Sequence, residues 1–211
     1  QAVANNTVIM NNIFANSSTL ASTTSMGFQS TTSAGPYVNV TTGFDRNCFW
    51  HAGTAGSVYL MGWNGAGPYT SASAITTGFA YYKASYPTAN ILSVVTDPQF
   101  ANIANNDLHV GATAYLLKNR GLSSTLVTTD IDGANRDATP DLGADEFTCT
   151  TSGIWLGITN NWNTTSNWSN DVIPTSSNAI TINPINAVDG GPGTLTSPYN
   201  GQSTYPTVTS N

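Results

Sequence analysis

Residues 130–147 read DIDGANRDATPDLGADEF, a stretch that holds six of the chain's eleven acidic residues beside Arg136, one of only five basic ones. Three kinds of chemistry call for such a gathering. Two carboxylates facing one glycosidic bond at a defined separation hydrolyse it. Oxygens at near-alternate positions, here Asp130, Asp132, Asn135 and Asp137, suit a hard cation such as calcium, although Arg136 inside the loop repels one. Carboxylates that accept backbone N–H groups, with Arg136 pairing one of them in a bidentate fork, tie a structural knot.

Elsewhere ionisable groups are sparse. Arg46, Lys83, Lys118 and Arg120 are the remaining bases, and of these only Arg46 has an acid, Asp45, beside it. His51 and His109 stand near no nucleophile motif. General acid–base chemistry needs a positioned acid and base, so the chain reads as non-catalytic and without a resident cofactor, calcium being the one candidate. Charged residues make up 8%, against about 25% in ordinary soluble domains. Thr, Ser and Asn take their place and favour strands and turns over helices. A net charge of −6 with no basic cluster excludes nucleic acid, whose phosphates require Lys and Arg. No run approaches the roughly 20 apolar residues of a membrane span. So few lysines argue against a cytosolic enzyme. The abrupt start at Gln1 and the open end at YPTVTSN suggest a segment of a larger exported chain.

The elements that must position these groups are short. VIM (8–10), YVNV (37–40), CFW (48–50), VYLM (58–61), ILSVV (91–95), LHV (108–110) and TLV (125–127) are β-rich runs separated by polar turns, the pattern of a sandwich or a solenoid. The pairs Asn11-Asn12 and Asn105-Asn106 suit solenoid corners, where side-chain amides can bond from one coil to the next. One helix is expected in SAITTGFAYYKASY, capped by Ser73, with Phe79, Tyr82 and Tyr86 on one face and Pro87 ending it. After Phe147 the texture changes. TCTTSG reads as a linker, and Trp155, Trp162 and Trp168 then fall within fourteen residues. They form either the core of a small module or a platform for stacking on sugars.

The order from about residue 73 to 147 carries a resemblance: an aromatic helix, Ser93, DPQF (97–100), DLHV (107–110), AYLL, Gly121 and the closing TDIDGANRDATPDLGADEF. It resembles the C-terminal end of right-handed parallel β-helix proteins of the pectate-lyase-like class, with NNIFAN (11–16) and NCFWHAG (47–53) as ordinary rungs. Gly153, Trp155, Gly157, Trp162, Asn167, Trp168 and Pro174, followed by Ile180 and Ile182, resemble a small β-module of surface proteins of gliding bacteria. Those proteins leave the cell by the type IX route and are commonly adhesins. Such modules run on past a stretch like YPTV (205–208).

The resemblance implies an all-β chain. A right-handed parallel β-helix with its closing cap would occupy 1–147, a linker 148–152, and a small separate Trp-rich β-module, truncated, 153–211. The acidic stretch would fold over the last coil and shield an open end otherwise prone to strand addition. His109 would take a structural position. The implied role is non-catalytic adhesion or surface architecture, extracellular or at the cell surface. Partners would be flanking modules of the same chain, surface polysaccharide or cell-surface proteins, and the export machinery. The alternative is the terminal half of a polysaccharide lyase or glycoside hydrolase with its groove in upstream coils. At about 20–25 residues per coil, Cys48 and Cys149 are too far apart for a disulfide. Cys48 is expected to be buried, and Cys149 to pair beyond residue 211.

Overall fold

Runs such as Ile13–Asn16 (IFAN) and Cys48–His51 (CFWH) are three apolar residues closed by a polar one, so they extend only briefly. The computed structural model describes residues 8–16, 24–29, 44–51, 57–62, 93–156, 161–175 and 178–182. Its chain divides into two units, Gln1–Pro98 and Gln99–Asn211. The helix expected at 73–86, the runs at 37–40 and 205–208, and Lys83 lie outside the described residues.

In the first unit, β1 (Ile9–Met10), β2 (Ile13–Asn16) and β3 (Thr24–Gln29) are followed by β4 (Phe44–Asp45), β5 (Cys48–His51) and β6 (Ser57–Gly62), then β7 (Val94–Val95). Each member of the first set pairs in parallel with its counterpart in the second. Ile9 lies opposite Phe44, Ile13 opposite Cys48 and Thr24 opposite Ser57, and β5 pairs onward with β7 at Cys48 and Val94.

The register is held at a corner between β1 and β2 that recurs between β4 and β5. Asn11 (φ 62°) and Arg46 (φ 57°) both adopt the left-handed conformation, and Asn11 N–H bonds Arg46 O at 2.8 Å. Asparagine tolerates this region well and arginine pays a steric cost there. The next residue forms a polar column. Asn47 Oδ1 accepts from both Asn12 N and Asn12 Nδ2 at 3.1 Å. Asn47 Nδ2 donates to Ile9 O at 2.9 Å and Asp45 O at 3.0 Å, and Asn47 N–H donates to Ser93 Oγ at 3.0 Å. Asn47 and Ser93 are fully buried beside Cys48, Phe49 and Val94, and Phe14 stacks on Phe49 at 5.4 Å. Of the asparagine pairs noted in the sequence, Asn11-Asn12 bonds across the paired strands, to Arg46 and Asn47. The column steps by 35 residues from Asn12 to Asn47 and 46 from Asn47 to Ser93, longer than the expected coil, because further strands and long connections intervene. An Asn47→Ala change strips partners from two carbonyls and the Asn12 N–H. It is expected to cost about 1–3 kcal/mol, read as a lowered midpoint in urea unfolding.

The second unit opens with an antiparallel hairpin of β8 (Phe100–Asn102) and β9 (Asp107–Val110), joined by a 3₁₀ turn at Ile103–Asn105. Asn106, of the second asparagine pair, closes that turn at φ 59°. The run at 108–110 therefore pairs antiparallel with its immediate predecessor, since the four residues between the strands suffice for a hairpin and not for a parallel crossover. A 3₁₀ turn at Tyr115–Leu117 follows, then the acidic stretch, within which Gly133 (φ 82°) and Gly143 (φ 99°) make the tight turns their type allows.

Residues 148–152 fall inside this unit. Beyond them Trp155 N–H bonds Thr181 O at 3.0 Å, and Leu156 N–H bonds Asn167 O at 2.7 Å. Trp155, Trp162, Trp168 and Ile180 form a core flanked by Ile173 and Ile182. Residues 118–120 also reach this stretch, through Asn119 Nδ2 to Asp171 Oδ1 at 2.5 Å and Arg120 to Leu156 O at 3.2 Å. Among the described residues no helix is long and apolar enough to cross a membrane.

Candidate functional site

The acids of 130–146 separate into a buried knot and an exposed cluster. The knot centres on Asp141, whose carboxylate is fully buried. Its Oδ1 accepts Asn119 N–H at 2.7 Å, and its Oδ2 accepts Phe147 N–H at 3.1 Å and faces Lys118 Nζ at 3.4 Å. Lys118 also faces Asp171 at 3.3 Å. Burial alone would lower the lysine's pKa, but Asp141 and Asp171 outweigh it and raise the pKa. Burial likewise pushes Asp141 up to about 7 against the pull of Lys118 and the N–H donors. The two shifts favour opposite states of the pair. Lys118 is held charged, because two carboxylates face it.

Arg136 closes the knot. Its guanidinium bonds Gly143 O at 2.9 Å, Asp141 O at 2.7 Å and Glu146 Oε1 at 2.7 Å. The expected bidentate fork on a carboxylate is thus a contact with one carboxylate oxygen plus two carbonyls, because the tight turn at Gly143 brings main-chain oxygens nearer than a second carboxylate oxygen. Burial raises the Glu146 pKa, partly offset by Arg136.

The exposed cluster grows from β9. Residues two apart on a strand share a face, and Asp107 Oδ1 meets His109 Nδ1 at 2.6 Å. The opposite ring nitrogen, Nε2, lies 3.2 Å from Asp132 Oδ1. Hydrogen bonding to Asp107 and then Asp132 raises the His109 pKa to about 9, while the bond from His109 lowers that of Asp107. A pKa raised on folding means that the imidazolium's contribution is fully present below the ordinary value of about 6.5. It is lost as the pH rises through about 9. In metal-free protein the His109 ring resonances are expected to titrate well above pH 6.5 by NMR, and Asp132→Asn to bring the midpoint down.

Asp145 completes the cluster. It is buried, and its Oδ2 accepts Val110 N–H at 2.7 Å. The ligand atoms of His109, Asp132 and Asp145 all lie within 4.8 Å of one another, the one such His/Cys/Asp/Glu group among the described residues. Of the four residues singled out for calcium, only Asp132 belongs to it. Asp130 Oδ1 is engaged by Asp132 N–H at 3.0 Å and Ala134 N–H at 2.8 Å. Asn135 bridges back to Thr129 through the main chain, and Asp137 is exposed. Sequence reasoning placed His109 in a structural role and passed over Asp107 and Asp145. The Asp-x-His spacing on a strand was the available signal.

The remaining candidates are dispersed. Asp45 Oδ1 accepts the main-chain N–H of Arg46 at 2.7 Å, and burial lowers the Arg46 pKa against the attraction of Asp45. Cys48 and Cys149 are free and buried, and burial pushes the Cys48 thiol up to about 12, which makes it a poor nucleophile. The three tryptophans pack on one another with centroids 4.5–6.0 Å apart and are at most 3% exposed, so they offer no open stacking face. No protein-family model, curated protein or solved structure matches the chain.

Proposed function

We propose that this chain is a non-catalytic segment of a secreted or cell-surface, adhesin-like protein. In this reading the closing coils and cap of a right-handed parallel β-helix precede a Trp-rich β-module of the kind exported by the type IX route. The segment holds polysaccharide or neighbouring surface proteins through many weak contacts along a stiff face, each polar one contributing about 0.5–1.5 kcal/mol, with avidity across repeats supplying the strength. The observation that carries the reading is how the buried acids of the closing stretch are used. Asp141 and Asp145 accept main-chain N–H groups, and Glu146 pairs with Arg136. These carboxylates secure the backbone. The in-register parallel pairing of three strand sets and the Asn12–Asn47–Ser93 column support the solenoid.

The test is incubation of the purified chain, with and without calcium, against acidic and neutral polysaccharides. Binding without turnover is expected. Release of unsaturated or reducing-end products, abolished by changing Arg46 or Asp45, would overturn the proposal in favour of a lyase or hydrolase.

A further inference from the structure

We propose that His109, Asp132 and Asp145 hold a divalent transition-metal ion of the zinc class, with Asp107 orienting the imidazole. Asp107 lies at Nδ1, 2.6 Å away. When an ion displaces the Nε2 proton, that contact keeps Nδ1–H donated to the carboxylate and leaves the Nε2 lone pair to the metal, the arrangement by which metal-binding histidines are held. Nε2 lies 3.2 Å from Asp132 Oδ1, and a carboxylate oxygen of Asp145 lies within 4.8 Å of the ligand atoms of both residues. Asp132 is exposed and adjustable, and Asp145 is fixed by its bond from Val110 N–H.

Asp145 is the independent pointer to a cation. It is 5% exposed, and its one hydrogen-bond partner among the described residues is Val110 N–H at Oδ2, which leaves Oδ1 unengaged. The ion pairs of His109 run to Asp107 and Asp132, and Asp145 makes none of its own among the described residues. Buried carboxylates are ordinarily paired or bound to a metal. Ligand atoms within 4.8 Å of each other are near what one ion requires, since bonds of about 2.0–2.2 Å put two ligands no more than roughly 4.4 Å apart. A small movement of Asp132 closes the difference.

The donor set decides the class of ion. Calcium takes oxygen ligands alone, whereas one imidazole with two carboxylates suits zinc or a neighbouring divalent metal, with water completing the shell. Such an ion would clasp β9 to both arms of the closing loop. The proposed set shares only Asp132 with the calcium ligands expected at 130–137.

The experiment uses the full 211-residue chain, stripped with chelator and titrated with zinc chloride by calorimetry, with calcium and magnesium chlorides in parallel. Expected are one saturable zinc site, a rise in thermal midpoint with zinc, and at least tenfold weaker binding in His109→Gln and Asp132→Asn. Asp132 and His109 are partly exposed, so both variants are expected to fold, which circular dichroism checks. Cobalt substitution should give a d–d spectrum without a thiolate charge-transfer band. Absence of saturable zinc binding, equal binding of calcium, binding unchanged in both variants, or binding lost on changing His51 instead would overturn the proposal. None of these outcomes depends on whether the chain acts on polysaccharide.

Discussion

Asp141→Ala is expected to destabilise the second unit by about 3–5 kcal/mol, because breaking a buried ion pair from one side strands the other charge. Asp141 is 0% exposed and Lys118 6%, so water cannot replace the lost carboxylate. The substitution leaves Asn119 N–H and Phe147 N–H without acceptors, and Lys118 facing only the half-exposed Asp171. Asp141→Asn keeps one acceptor and the shape, and is expected to fall between wild type and alanine. Lys118→Met strands the Asp141 carboxylate in turn, but that group keeps its two N–H donors. Its pKa, pushed up to about 7, lets it take up a proton, so the loss is expected to be smaller than for Asp141→Ala, about 1–3 kcal/mol. Combined with Asp141→Asn it should be less harmful than the sum of the two. Urea unfolding of the four proteins measures this ordering. If Asp141→Ala unfolds within 0.5 kcal/mol of wild type, a change ordinary for surface sites, the closing stretch is not held by its buried acids.

The knot was legible in the sequence because the chain uses charge so sparingly. With 8% charged residues, six acids in one stretch had to be answered by burial or by a ligand, and the glycines showed where the turns fall. What each acid bonds to was not legible. Asp141 meets Asn119, 22 residues back, and Asp145 meets Val110, 35 residues back. Such partnerships are set by the path of the chain, and spacing within a stretch carries no trace of them. That is why Asp130, Asp132, Asn135 and Asp137 looked like one ligand set. Near-alternate spacing puts side chains on one face only in an extended strand, and here the chain turns at Asp130–Gly133, which spends Asp130 on its own backbone.

The strands were legible in part. The runs at 8–10, 48–50, 58–61, 91–95 and 108–110 carry strands, whereas β3 and β8 fell outside the marked runs and the run at 125–127 forms no strand. Asparagine before an apolar run marked the corner at Asn11-Asn12 correctly, since its amide can bond both along and across the chain. Which strands pair was hidden, because parallel register depends on where the chain returns to, 35 residues on from Asn12 to Asn47 and 46 from Asn47 to Ser93. At 107–110 the short approach from β8 permits a hairpin, and the local run of apolar residues is the same either way.

Trp168→Ala is expected to cost about 3–5 kcal/mol, the range for emptying a fully buried large aromatic site, and to unfold the Trp-rich stretch. Trp168 is 0% exposed, lies edge-on to Trp155 at 5.1 Å and to Trp162 at 4.5 Å, and donates Nε1–H to Trp162 O at 3.0 Å. So small a core has few other side chains to collapse into the space. Phenylalanine separates the packing from the hydrogen bond. Trp168→Phe loses both ring volume and the donor to a buried carbonyl, whereas the Trp155 Nε1 is buried without a hydrogen-bond partner among the described residues. Trp155→Phe therefore sheds an unsatisfied group along with its volume, and is expected to be the milder of the two by about 1 kcal/mol. Tryptophan fluorescence and near-UV circular dichroism during urea unfolding give the order directly. A sugar-stacking platform would behave in the opposite way. Its alanine variants would keep the unfolding midpoint and lose only polysaccharide binding, and that result would reassign the three tryptophans from core to ligand.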